Sequence, residues 1–277
     1  MILIADSGST KTDWRFIDAD SKISQFDTKG INPYQQNKTE IISIIQSESW
    51  PNERVSEIHF YGAGCSSEQN KDIIAEALKV RFKEAKIFIA DDMLAAARSL
   101  SGKESGIICI LGTGSNACLY DGNKIIEQIP SLGYVMGDEG SGNWLGRQLI
   151  NDYFGHKLST KNKRLFEEFG EFTVPDILDR VYRNQRPSNF LASYSKLILE
   201  NIADRYFYQL VKNSFEHFIA VNLCYFKEYK VLPIHFAGSI AYLYSNILRQ
   251  VAFEKNIQIG KIVQSPIAGL TLFHENS

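Results

Sequence analysis

Asp6-Ser7-Gly8-Ser9-Thr10-Lys11-Thr12 lies between two apolar runs, Ile2-Leu3-Ile4-Ala5 and Trp14-Arg15-Phe16-Ile17. A strand, a tight turn of small hydroxylated residues and a returning strand is a β-hairpin pattern. The pattern recurs as Ile107-Ile108-Cys109-Ile110-Leu111, then Gly112-Thr113-Gly114-Ser115-Asn116, then Ala117-Cys118-Leu119-Tyr120. Turns of this kind are rich in backbone N–H and hydroxyl donors, and their small side chains let an anion come close. Two such hairpins facing each other would grip a polyphosphate from both sides.

With 277 residues, 44% of them apolar and 22% charged, the chain has the composition of a globular protein and room for two domains. A formal charge of −2 argues against a non-specific binder of nucleic acid, which would be clearly basic. The chain opens on a strand without a basic region or an apolar leader core, and no apolar run is long enough to span a bilayer. The cytoplasm is therefore the expected compartment, with no membrane partner. Cys65, Cys109, Cys118 and Cys224 lack C-x-x-C spacing. Cys109 and Cys118 lie in apolar strands and read as buried thiols, and the four do not read as a zinc or iron–sulfur site.

The first hundred residues alternate between strands and helices. Lys22 to Lys29 reads as a third strand, 39–45 as an amphipathic helix, and Val55 to Tyr61 as a strand ending in Gly62-Ala63-Gly64. A helix over Glu68 to Phe82, a strand over Lys86 to Ala90 and a helix over Asp92 to Leu100 follow. The order βββαβαβα mixes an antiparallel meander with parallel crossovers. From Gly106 the opening repeats, with a second arm at Lys124 to Ile129 and a Gly-rich loop from Leu132 to Gly142. Asn143 to Lys230 reads as helical, with one long helix over Asp204 to Tyr229. A strand at Pro233 to Phe236, a helix over Tyr242 to Phe253, a strand at Ile257 to Val263 and a short helix after Pro266 close the chain. The repeat sets the expected domain boundary, 1–104 and 105–277.

Together these motifs resemble the actin-like ATPase superfamily, which includes sugar kinases, the heat-shock ATPase and actin. The resemblance implies an α/β fold of two duplicated ribonuclease-H-like domains, the second enlarged by helices, with ATP in the cleft between them. Asp6 to Thr12 matches the D-x-G-x-T-x-T first phosphate motif, and Gly112-Thr113-Gly114-Ser115 matches the second. Phe236-Ala237-Gly238-Ser239-Ile240 matches the adenosine motif. The stretch from Gly133 to Gly142, GYVMGDEGSG, is similar to the N-acetylglucosamine kinase family. It is shared with the BadF/BadG-type ATPases, which energise 2-hydroxyacyl-CoA dehydratases and benzoyl-CoA reductases.

A carboxylate at the end of a buried strand, as at Asp6, is costly unless paired or holding a cation. It would hold Mg²⁺ on the ATP phosphates, or else cap its own turn. Gly8, Ser9, Thr10, Lys11 and Thr12 would then supply backbone, hydroxyl and ammonium donors to the phosphates, with Lys11 as a plain exposed lysine the alternative. Asp91 and Asp92 follow a strand and open a helix. One can cap the helix while the other accepts the proton of a sugar hydroxyl. The family places its base in a D-A-x-A-A-like segment, which falls on Asp92-Met93-Leu94-Ala95-Ala96.

The resemblance further implies that Asp138 hydrogen-bonds sugar hydroxyls, that Asn32 contacts the sugar and that Gly64 forms the glycine turn beside it. Glu139 is read beside Asp138 in the sugar site, or as an acidic first-turn residue of the following helix. Gly112, Thr113, Gly114 and Ser115 fall to phosphate, with sugar as an alternative for Thr113, and Gly238 and Ser239 to adenosine. Ala63 stands where the family carries serine, and Leu132 where it carries tryptophan. The implied activity is phosphoryl transfer from Mg·ATP to a hydroxyl of an amino sugar resembling N-acetylglucosamine. A BadF-type activating ATPase and an ATP- or sugar-binding regulator are the alternatives. The aromatic run Tyr206-Phe207-Tyr208 reads as core or as a subunit interface, which leaves a homodimer open.

Overall fold

In the computed structural model, residues 1–8, 11–48, 50, 54–170 and 172–275 are described. The chain runs β1 (Ile2–Ser7), β2 (Lys11–Ile17), β3 (Ile23–Lys29), α1 (Lys38–Ser47), β4 (Glu57–Gly62), α2 (Glu68–Arg81), β5 (Lys86–Asp91) and α3 (Asp92–Ser101). The pattern restarts with β6 (Gly106–Leu111), β7 (Ser115–Tyr120) and β8 (Ile125–Gln128). Helices α4 (Gly133–Met136), α5 (Gly142–Phe154), α6 (Thr160–Phe169), α7 (Val174–Tyr182), α8 (Pro187–Ser193), α9 (Ser195–Glu200) and α10 (Arg205–Val221) follow. The last elements are β9 (Ile234–Ala237), α11 (Ser239–Leu243), α12 (Ser245–Glu254), β10 (Ile259–Val263) and α13 (Ile267–Glu275).

The repeat read from the hairpins is a repeat of topology. One five-stranded sheet has the order β3-β2-β1-β4-β5 and the other β8-β7-β6-β9-β10, so each strand of the first has its counterpart in the second. In both sheets the opening strand pairs antiparallel with its hairpin partner and parallel with the strand after the crossover. A strand in that central place is covered on both faces, which is why Leu3, Ile4 and Ala5, like Ile107, Ile108 and Cys109, are all buried.

Two compact units result. The first comprises Met1–Glu104, Gly122–Ile125 and Ser265–Ser277; the second comprises Ser105–Asp121 and Ile126–Gln264. The first is centred on an aromatic cluster in which Trp14 meets Trp50 edge-on, ring centres 5.0 Å apart, and donates from its indole N–H to Thr28 Oγ1 at 3.0 Å. The second has a larger core, to which α5 to α12 contribute Leu145, Phe166, Tyr194, Phe207, Phe215 and Leu248. Among the described residues no helix is long and apolar enough to cross a membrane.

Several boundaries differ from the sequence reading, each for a local reason. The helix expected over Asp204 to Tyr229 ends at Val221. The chain then tightens into a 3₁₀ turn at Leu223–Tyr225, burying Leu223 and Phe226. The helix expected over Tyr242 to Phe253 begins earlier, at Ser239, and is broken at Tyr244, whose hydroxyl donates to the Ser195 carbonyl at 2.7 Å. Within the Gly-rich loop, α4 forms one helical turn, its last carbonyls held by Arg147, which donates to Tyr134 and Val135. Glu139 does not start the next helix: α5 begins at Gly142, and its cap is Ser141, whose hydroxyl accepts from the Trp144 N–H.

Helix α5 approaches α8 closely because Gly146 carries no side chain: a Cβ there would run into the Leu191 carbonyl. Gly146→Ala is expected to destabilise the protein by at least about 2 kcal/mol through overpacking. Thermal denaturation reads this directly, and an unchanged melting temperature would contradict the close approach.

Candidate functional site

Strand register in the first unit sets the geometry. Ser7 of β1 lies opposite Gly62 of β4, and Gly62 opposite Asp91 of β5. The carboxyl ends of three parallel strands therefore finish level, where open α/β sheets bind ligands. Asp6 stands one residue before that end, and Asp92 opens α3 just beyond it. Asp91 takes the cap, its Oδ1 accepting from the Leu94 N–H at 2.9 Å. With capping satisfied by its neighbour, the Asp92 carboxylate is left for other work.

Burial raises the proton affinity of both carboxylates, and the charge of Asp92 adds to the rise at Asp6. Burial pushes the Asp6 carboxyl up to about 7; a hydrogen bond from Ser265 opposes the rise, and the charges of Asp92 and Asp13 add to it. Burial likewise pushes Asp92 up to about 6, with Asp91 adding and the backbone N–H groups of Met93 and Asp92 opposing. Ser265 Oγ donates to Asp6 Oδ2 at 3.1 Å. Such a desolvated acidic pair favours a cation. Among the described residues no cluster of three or more His, Cys, Asp or Glu side chains could hold a metal. A cation bound here would depend on one or two carboxylates completed by substrate oxygens, the habit of Mg²⁺ rather than Zn²⁺.

The rest of the first motif divides. Gly8 donates from its N–H to the Lys11 carbonyl at 2.9 Å, closing the hairpin. Ser9 and Thr10 lie outside the described residues. The Lys11 ammonium is 2.8 Å from Asp13 and 3.7 Å from Asp27, so it is an exposed, paired lysine here. The buried hydroxyl of Thr12 is engaged inside the fold, 2.6 Å from Ser7 Oγ and 3.3 Å from the Lys29 carbonyl. Ser7 Oγ also donates to the Ile31 carbonyl and accepts from the Ile31 N–H. This fastens the loop carrying Asn32 to the end of β1. Asn32 Oδ1 accepts from the Tyr34 N–H at 2.9 Å and packs over Gly64, where a Cβ would lie 2.5 Å from that oxygen. Gly64, at φ +87°, is thus required both by its backbone and by Asn32.

In the second unit, Leu111 pairs with Ser115 across the turn Gly112-Thr113-Gly114, closed by the Gly112 N–H on the Gly114 carbonyl at 2.9 Å. Ile110 of β6 pairs in parallel with Ala237 of β9, which brings the adenosine-type turn to the same sheet end. Gly238, at φ +115°, packs against the Leu111 carbonyl, where no Cβ would fit, and Ser239 opens α11. Asp138 is buried: its Oδ1 accepts from the Ser115 N–H at 3.1 Å and its Oδ2 from Asn143 Nδ2 at 2.7 Å. Glu139 Oε2 lies 3.5 Å from Asn222 Nδ2. A cavity of about 110 Å³ opens beside this pair, with Ser115, Asn116, Leu132 and Met136 in its wall.

Ser7, Ser265 and Asn143 were not singled out in the sequence. Ser7 lay in the motif but reads there as a turn residue. Ser265 is 259 residues from the aspartate it contacts, so only the fold joins them. For Asn143, the cue was its place just after Ser141, the first residue able to cap α5.

Raised carboxyl affinities also mean lost stability. The folded state holds the Asp6 proton up to about 7 and the unfolded chain only to 3.8, so stability falls as pH rises between those values. Asp6→Asn should therefore stabilise the metal-free protein by on the order of 2–4 kcal/mol at pH 8 and by little at pH 4. Melting curves at the two pH values check this; an equal effect at both would contradict it.

Solved structures match the chain from end to end. A candidate N-acetylglucosamine kinase from Porphyromonas gingivalis is 40% identical, with 100% of this chain and 99% of that one covered at a TM-score of 0.93. A second candidate N-acetylglucosamine kinase, from Chromobacterium violaceum, is 19% identical over 98% of both chains, with a TM-score of 0.74. A ROK family glucokinase from Streptomyces griseus, determined with glucose and AMPPNP, shares the fold at 14% identity, with 100% and 98% covered and a TM-score of 0.60. The N-acetylmuramic acid/N-acetylglucosamine kinase of Clostridium acetobutylicum is 26% identical over 218 residues, 70% of this chain and 68% of its own. No family model matches the chain. Identity of 40% over the full length makes this chain a member of the N-acetylglucosamine kinase family, built on the duplicated ribonuclease-H-like fold of the actin-like ATPases.

Proposed function

We propose that the protein is an ATP-dependent sugar kinase that transfers the γ-phosphoryl group to a hydroxyl of an amino sugar of the N-acetylglucosamine type. The observation that carries this reading is the Asp91–Asp92 pair. One carboxylate caps α3, which leaves its neighbour, raised by burial to about 6, as a base close to physiological pH.

In this mechanism Asp92 accepts the proton of the sugar hydroxyl as its oxygen bonds to the γ-phosphorus and the bond to the ADP oxygen breaks. Asp6 would hold Mg²⁺, which supplies charge neutralisation on the β- and γ-phosphates. The turns Gly8–Thr12 and Gly112–Ser115 supply backbone donors to the phosphates, and Gly238 and Ser239 contact the adenosine. Lys11 is paired with Asp13 and the Thr12 hydroxyl is internal, so either side chain would have to leave its partner to reach a phosphate. Asn32, which Gly64 gives its room, and Asp138 would each orient the sugar, and Glu139 lines the cavity beside Asp138. The exposed Leu132, in place of the family's tryptophan, gives the cavity beside Asp138 an aliphatic wall. Cytoplasmic action fits these substrates.

Asp92→Asn should lower kcat by about 10²-fold or more while leaving ATP affinity within a few-fold of the unaltered protein. A coupled ADP-release assay with calorimetric ATP titration measures both; retention of a tenth of the activity would remove Asp92 from the role of base. Since the base must be ionised, kcat/KM of the unaltered protein should fall below a pH of about 6, by about tenfold per pH unit. A profile flat to pH 4.5 would contradict the assignment.

A further inference from the structure

A tight polar cluster in the second unit packs against the turn Gly112-Thr113-Gly114. Asp138 is a non-glycine residue held at φ +61°, a left-handed conformation that costs about 1 kcal/mol or more for most side chains. What holds it there is a set of short contacts. Its carbonyl accepts from Ser141 Oγ at 2.6 Å and from the Ser141 N–H at 3.2 Å. Its carboxylate takes the Ser115 N–H on one oxygen and Asn143 Nδ2 on the other. The turn is shaped to receive that carboxylate, since a Cβ on Gly114 would lie only 3.0–3.2 Å from its atoms.

Asn143 closes the circuit. It is fully buried, and its own N–H donates to the Thr113 carbonyl at 3.1 Å, while the Gly142 N–H donates to the Gly112 carbonyl at 2.8 Å. In a trans peptide the C=O and the following N–H point in opposite directions. Tying the carbonyls of Gly112 and Thr113 to the start of α5 therefore turns the N–H groups of Thr113 and Gly114 away from it. Those are the two donors a phosphate would meet. Asn143 Oδ1 is buried with no hydrogen-bond partner among the described residues, so the amide is oriented by what its NH₂ group and backbone hold. Rotating the amide by half a turn would set oxygen against the Asp138 carboxylate.

We propose that Asn143, acting through Asp138, is a positioning residue that sets the second phosphate turn for nucleotide binding. This rests on the kinase reading, in which that turn meets ATP. It gives the Asp138 carboxylate a structural duty toward the nucleotide, distinct from contact with the sugar.

A reciprocal exchange tests it. ADP and ATP affinity would be measured by calorimetry without sugar, with near-ultraviolet circular dichroism confirming native packing. Asn143→Asp sets two carboxylates at hydrogen-bond distance and should weaken nucleotide binding by about ten- to a hundredfold. Asn143→Ala, which removes the donor without adding charge, should weaken it by about tenfold. The double variant Asp138→Asn/Asn143→Asp keeps an oxygen toward the Ser115 N–H and restores an amide–carboxylate bond with its direction reversed. It should return nucleotide affinity to within about threefold of the unaltered protein, a rescue a purely local packing role would not give. Native-like single variants that bind nucleotide normally would overturn the proposal while leaving the kinase reading standing. So would a double variant no better than Asn143→Asp. Should Asn143→Asp fail to fold, Asn143→Ala and the double variant decide between the same outcomes. If the unaltered protein binds no nucleotide, the kinase reading and this proposal fall together.

Discussion

Parallel pairing of β1, β4 and β5 in one register is the constraint on which the rest depends. It makes three strands end level, so two carboxylates far apart in sequence share one poorly hydrated place. Among the described residues neither Asp6 nor Asp92 has a cationic side chain paired with it; burial lifts the proton affinity of both, with Asp92 adding to the rise at Asp6 and Asp91 to that at Asp92. A fold selected for stability alone would not keep such a pair. On the proposed reading, a bound cation and a transferred proton give both a use.

The same logic recurs in the second unit with different chemistry. There the matching sheet end carries glycine turns with one buried carboxylate, Asp138, held against them, and what is arranged is backbone. Gly238 gives up its side chain to lie against Leu111, Gly114 gives up its own to admit Asp138, and the start of α5 holds the turn's carbonyls. Duplication supplied two copies of one hairpin scaffold. The first end holds the Asp6 and Asp92 carboxylates, and the second a glycine turn whose carbonyls accept from the start of α5. Both follow from the shared strand order, in which the hairpin strand and the crossover strand finish side by side.

Much of this was legible in the sequence, because hairpins and glycine turns are encoded locally. The repeated strand–turn–strand pattern read as a duplication, the resemblance to the actin-like ATPases implied two ribonuclease-H-like domains, and the adjacent aspartates led to a cap with a carboxylate left over. Local reasoning was blind to long-range polar contacts. Nothing in the sequence around Thr12 says that its hydroxyl will be consumed by Ser7 and Lys29, or around Lys11 that Asp27 will lie beside it. Nor does the stretch after Val263 say that Ser265 returns to Asp6. The break at Tyr244 and the early end of α10 escaped for a related reason: helical periodicity persists through both, and tertiary burial decides where the helix stops.

The most direct check on this picture is to follow the phosphoryl group itself. Phosphorus NMR of the unaltered protein with Mg·ATP and N-acetylglucosamine should show the γ-phosphate signal replaced by that of a sugar phosphomonoester, with ADP formed in equal amount and only when sugar is present. Persistence of ATP across amino sugars, or its conversion to ADP and inorganic phosphate alone, would contradict the account.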